Sequence, residues 1–161
     1  PAHWADIRDN PWAENWYPAT FSWEGEVVEE IGIRAFGNSS VCAGKPPLKL
    51  AFDHYIDGQD WRGLEQLKFD NSYSDPSFLN ERLGTAALRR AGVPAARTGW
   101  ANVVVNGEPA GFFITMESID DRFLDRWFGN DDGPLWSIND IRGHGLMPLI
   151  DPLTYYKTET F

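Results

Sequence analysis

The chain has 161 residues, enough for one domain or one lobe, and 14 Lys plus Arg against 24 Asp plus Glu leave a net charge of −10. That balance argues against nucleic acid or an anionic membrane as bulk partners, because no basic field gathers their phosphates, and no apolar run nears the ~18 residues of a membrane span. Eight Trp and ten Phe exceed what a disordered linker carries, and the single Cys42 excludes an internal disulfide.

Pro1 opens the chain with no initiator Met or signal-like segment, which reads as a processed or excised piece. Residues 1–17 form a Trp-rich N-terminal extension, with a short helix or turn at about Ala2 to Arg8 and an irregular stretch pinned by Trp12 and Trp16. Aromatic rings without period suit packing over a sheet edge; sugar binding is the sharper alternative. Ala19 to Trp23 and Val27 to Phe36 read as a hairpin around Glu24-Gly25-Glu26. Ile31, Ile33 and Ala35 alternate with Gly32, Arg34 and Phe36, so Arg34 is expected to face away from the aliphatic side. The small-residue loop Gly37-Asn38-Ser39-Ser40 can aim N–H groups and hydroxyls at a phosphate, or can simply connect strands.

Leu48 to Asp53 alternates with Leu48, Leu50 and Phe52 on one face and Lys49 and Ala51 on the other. A partner strand is expected at Leu64 to Phe69. Ser74 or Asp75 then caps a helix, with Pro76 in its first turn, that runs to the Gly92 stop with Pro94 just beyond. Its spacing predicts a core face of Leu79, Leu83, Ala86 and Ala87, and an opposite face of Glu81, Gly84 and Leu88. Trp100 to Val105 and Ala110 to Met116 flank Asn106-Gly107, the strongest short hairpin signal. Ile119 to Phe128 reads as a short helix, Asn130-Asp131-Asp132-Gly133 as a solvated turn, and Leu135 to Ile138 as a last apolar run before an irregular end.

The three histidines lack ligand spacing, and no G-x-S-x-G elbow supports nucleophilic hydrolysis. A strand lysine followed by a helix glutamate is the pattern by which kinase folds aim an ammonium at ATP phosphates, and Lys49 with Glu81 supplies it. Such pairs are also common in ordinary α+β domains.

Ile31 to Ser40 (IGIRAFGNSS), Lys45 to Asp53 (KPPLKLAFD), Leu67 to Leu83, Ala91 to Asp120 and Asp121 to Gly129 together resemble the CotH family of spore-coat-type atypical kinases, in the family's order. The resemblance implies an α+β fold: a twisted antiparallel sheet with one main helix, forming a kinase-like N-lobe over 18–129. Residues 130–161 would begin the connection to a C-lobe. It implies ATP and Mg²⁺ as cofactors, the latter bound mainly outside this chain, and a Ser/Thr-bearing protein substrate or surface partner in an extracellular, surface or spore-coat setting. By position, Arg34 and Gly37, Asn38, Ser39 and Ser40 would lie over the phosphates, Lys49 would direct them with Lys45 in reserve, and Glu81 would hold the lysine. Met116, Glu117 and Ser118 would form the hinge at adenine. Phe36 departs from the pattern where a second basic residue is expected. No catalytic-loop pattern is found; Asn139-Asp140 and Asp151 are the acids nearest the C-terminus, and the rival reading is a non-catalytic surface-binding module on the same fold.

Overall fold

The computed structural model describes residues 2–37 and 39–132, together with the backbone of two strands at 135–138 and 156–159. Asn38, Asn139, Asp140, His144 and Asp151 lie outside the described residues. The chain divides into two compact units, 1–119 and 120–161.

The first unit is α+β. Helix α1 (Ala2–Asp9) and a single 3-10 turn (Pro11–Ala13) lead into strands β1 (Tyr17–Trp23), β2 (Glu26–Ala35), β3 (Leu48–Ala51) and β4 (Gln66–Asp70). Helix α2 (Asn80–Arg90) and strands β5 (Thr98–Val105) and β6 (Glu108–Glu117) complete it. All pairings are antiparallel, in the order β1-β2-β3-β4-β6-β5. Both tight hairpins carry two successive residues with positive φ, Glu24-Gly25 and Asn106-Gly107, the backbone that matches the twist of the flanking strands.

Side-chain alternation sorts the sheet into an apolar and a polar face. Ile31, Ala35, Leu48, Leu50, Leu67, Phe69, Ala101 and Phe113 form the core on one face, joined by Phe52 from beyond β3 and Ile7 from α1. Each fully buried ring, such as Phe52 or Phe113, contributes roughly 1.5–3 kcal/mol relative to exposure. The sheet curls around this face, so that its two edge strands, β1 and β5, line a common cavity of about 450 Å³ with Trp4 and Ile7 of α1.

Helix α2 is shorter than its signals predict and turned differently. Residues 76–79 form turns, and Asp75 caps from outside: its carboxylate accepts from the N–H groups of Ser77 (3.0 Å), Leu79 (3.0 Å) and Asn80 (2.8 Å) and from the Ser77 hydroxyl. The C-terminus closes as expected, with Val93 N–H on Leu88 O and Gly92 N–H on Arg89 O around the left-handed Gly92. The face turned to the sheet holds Thr85, whose hydroxyl lies 2.9 Å from that of Thr98, and Arg82, which donates to Thr98 O and stacks over Trp100. The predicted core face is therefore corrected: Leu83 is 63% exposed and Leu79 is exposed as well. Polar anchors on β5, with its Thr98 and Trp100, decide the helix rotation that hydrophobic spacing alone assigned to leucines.

In the second unit, Asp120 caps α3 (Asp121–Phe128) by accepting from Phe123 N–H, and Gly129 ends it in the left-handed conformation. Strands β7 (Leu135–Ile138) and β8 (Tyr156–Glu159) pair antiparallel, the latter not anticipated from sequence.

Candidate functional site

The polar face carries a line of side chains at one register level. Arg34 lies opposite Lys49, Lys49 opposite Lys68, Lys68 opposite Met116, and Met116 opposite Thr98. Directly opposed residues of an antiparallel pair share a face, and neighbouring strands lie about 4.8 Å apart. Three cations thus occupy a strip about 10 Å wide. Lys49 and Lys68 are half-buried on this face of the sheet.

Arg34 is committed inside the lobe. Its guanidinium donates to the Glu14 carboxylate and stacks 5.0 Å from the Trp16 ring centroid, and Trp16 in turn stacks on His54 at 4.4 Å. His54 lies close against Gly32, where any Cβ would come within 2.8 Å of its Cβ and Cγ. Lys68 points toward Phe36, its ammonium 6.0 Å from the ring centroid, the outer limit of a cation–π contact.

The small-residue loop leaves β2 through Gly37, whose φ of +117° and 3.2 Å clearance to Ser40 Oγ leave no place for a side chain. Its far side is tied down by buried Asn71, just past β4. The Asn71 amide donates to Ser40 O at 2.9 Å and Lys45 O at 3.0 Å, and its oxygen accepts from Tyr73 N–H. Lys45 is engaged here rather than on the strip. Its ammonium donates to Asn71 O at 3.2 Å between the Phe78 and Phe113 rings, 4.9 and 4.7 Å away. Burial lowers its pKa from the usual lysine range, against the opposing pull of Asp70 and Cys42.

At the end of β6, Met116 stands on the strip while Glu117 turns inward. The Glu117 side chain is only 3% exposed and accepts from Arg97 N–H at 2.9 Å and from the Arg97 guanidinium at 2.9 and 3.2 Å. The Glu117 N–H donates to Arg97 O at 2.9 Å. The buried Ser118 hydroxyl donates to Gln66 Oε1 at 3.4 Å. Two residues later, at Asp120, the second unit begins.

Glu81 is not brought to Lys49 as an ion pair. It sits exposed in the first turn of α2 and makes no ion pair among the described residues. The helix is seated over β5, three strand positions or about 14 Å from β3, farther than a glutamate side chain spans. Sequence reasoning also missed Lys68, Asn71 and Glu14. Lys68 repeats the alternation of Leu48-Lys49-Leu50 in Leu67-Lys68-Phe69 and could have been read from it; Glu14 and Asn71 act through contacts far apart in the chain.

The arrangement suits a polyanion: cations on three adjacent strands beside a glycine-led turn. No group of three or more His, Cys, Asp or Glu side chains able to hold a metal ion occurs among the described residues. The three cations of the strip line none of the two cavities of about 450 and 290 Å³, which open on the apolar face.

Comparison with known proteins adds two findings. The family model for the CotH kinase protein matches residues 33–160. Inner spore coat protein H of Bacillus subtilis (strain 168) is 24% identical over 87 residues, which is 54% of this chain and 24% of that protein. The chain thus spans about a quarter of the relative it matches.

Proposed function

The chain belongs to the CotH family, and from that premise we propose that residues 18–129 are the ATP-binding lobe of an atypical protein kinase, with 130–161 leading toward a C-lobe. The observation that carries this reading is the register line that sets Lys49 directly between Arg34 and Lys68 on one face of the sheet. The triphosphate of ATP would lie along Lys49, and the base would lie toward Met116 and Ser118 at the end of β6. Mg²⁺, when bound, would supply charge neutralisation for transfer of the γ-phosphoryl group to a Ser or Thr hydroxyl of a partner protein. Its protein ligands, and the carboxylate that orients the acceptor hydroxyl, are assigned to residues outside those described.

The name of the B. subtilis relative places that protein in the inner spore coat, and a spore-coat or surface setting is proposed here by analogy. The test is ATP turnover by the full-length parent protein carrying Lys49→Ala. Loss of one preorganised cation at the transferring group is expected to lower kcat about 100-fold or more. Turnover equal to the unaltered protein would refute the assignment.

A second reading, a non-catalytic surface-binding module, is favoured by one specific observation: Arg34 is held by Glu14 and Trp16. Calorimetry separates the two. Saturable glycan or protein binding without Mg-ATP binding by the full-length protein would select the module.

A further inference from the structure

We propose that the two edges of the sheet, β1 and β5, enclose an extended segment of a partner protein, which adds to β5 as a further strand. The proposal concerns the apolar face and goes beyond the nucleotide reading of the polar one. The two cavities on that face are parts of a single trough. The one of about 450 Å³ lies between Tyr17 to Trp23 and Ala101 to Asn106, the one of about 290 Å³ lies between Phe21 with Trp23 and residues 97–100, and Phe21, Trp23 and Phe69 line both. The seven residues of β1, at about 3.3 Å each, give the trough a length of roughly 23 Å, the span of a peptide of the same length.

The floor of the trough is apolar, with Ile31, Leu50 and Phe69 in it, and its walls offer backbone. Arg97 O accepts from Glu117 N–H, so the alternation of an antiparallel ladder turns the N–H and C=O groups of Gly99 and Ala101 toward β6 and those of Thr98, Trp100 and Asn102 outward. Thr98 O is met by Arg82, whereas the outward groups of Trp100 and Asn102 have no partner among the described residues. Thr20, Ser22 and Asn102 alternate away from the core-facing residues of their strands and still line the trough, as edge residues do through their backbone. Charged side chains usually guard such edges; β1 and β5 carry none, in a chain that is 24% charged. An extended polypeptide matches this site because it brings donors and acceptors at a strand's spacing together with alternate side chains for the floor, which neither a lipid tail nor a sugar does. Charge at the two ends adds a further requirement. Glu108, opposite Val105, makes no ion pair among the described residues, and Glu24 and Glu26 beside Trp23 exceed Arg62 by one charge. The segment that fits is uncharged and alternately apolar along its middle, with Lys or Arg at each end.

The probe is the fluorescein-labelled peptide Lys-Thr-Val-Thr-Val-Thr-Val-Thr-Lys, titrated with the full-length parent protein and followed by fluorescence anisotropy. Saturable binding is expected. N-methylation of its valines and central threonines keeps every side chain but removes the backbone donors, and is expected to weaken binding at least about tenfold. Exchange of the terminal lysines for glutamates is expected to cost about three- to tenfold, less as salt is added. Asn102→Pro deletes an outward N–H at a place where an edge strand tolerates proline, and a loss of about tenfold is expected with a native circular dichroism spectrum. Should that variant fail to fold, the N-methylated peptide decides the matter on the unaltered protein. Equal affinity for the plain and N-methylated peptides, or absence of saturable binding, would overturn the proposal. Self-association that Asn102→Pro abolishes, without peptide binding, would overturn it too and assign the edges to a second copy of the chain. Mg-ATP titration of the same sample reads the nucleotide question separately, so either reading can fail alone.

Discussion

Replacing Asn71 by Leu removes four hydrogen bonds at one buried point, the weakest of them to the Cys42 sulfur at 3.5 Å, without a large change in volume. The side chain is nearly enclosed at 5% exposure, and its amide holds Ser40 O and Lys45 O while its oxygen holds Tyr73 N–H. Each such bond contributes about 0.5–1.5 kcal/mol net, and a polar partner left buried costs about 1–3 kcal/mol. Ser40 and Lys45 are half-buried, so water can recover part of the loss. The expected destabilisation is therefore about 2–4 kcal/mol. For a unit of this size that corresponds to a fall in Tm of roughly 5–15 °C. Urea unfolding followed by tryptophan fluorescence reads the change, and amide hydrogen exchange of residues 39–45 reads its location. Faster exchange in that loop is expected beyond the global loss. A change below about 0.5 kcal/mol with native loop protection would refute the idea that Asn71 fastens the turn.

Two further predictions concern positions away from the strip. Gly32→Ala would drive a methyl group to within 2.8 Å of the His54 ring, forcing it off Trp16; destabilisation of about 1–3 kcal/mol is expected, and His54→Ala in the same chain should recover part of it. Additive losses in the double variant, measured by thermal unfolding, would exclude the clash. Asp75, whose acidity is strengthened first by the Ser77 hydroxyl and then by the Asn80 N–H, has a folded pKa below its unfolded one. Its contribution is therefore complete above the usual aspartate range and is lost as pH falls below about 4 through the folded value. The acid limb of the stability curve should flatten in Asp75→Asn relative to the unaltered protein; an identical limb would contradict the capping role.

The strands were largely legible because their alternation is regular. Leu48-Lys49-Leu50 and Ile31 through Ala35 state their own faces, and the two hairpin turns are set by residues that tolerate positive φ. Helix α2 was legible at its C-terminal end but not in its rotation or in its first residue, Asn80, which lies four positions beyond Pro76. Its start depends on Asp75 and its stop on Gly92, both local, whereas its seating depends on Thr98 and Trp100, which follow in a different strand. The candidate site divides in the same way. That Lys49 faces away from the core follows from period two alone. Its neighbours Arg34 and Lys68 follow only from register, and register is set by pairing over tens of residues. Glu81 matched a motif by residue type, yet a carboxylate's reach is decided by which strand its helix rests on.

The clasp of Glu14 and Trp16 on Arg34 has a practical consequence for where the polypeptide can be trimmed. The same sixteen residues that supply the clasp also supply Ile7 to the core. A version beginning at Pro18 would bare an oily socket on one side of the sheet and unmask a guanidinium on the other. Such a shortened lobe is expected to self-associate and to bind anions additionally through the bared Arg34, so binding data gathered on it would describe the cut rather than the protein.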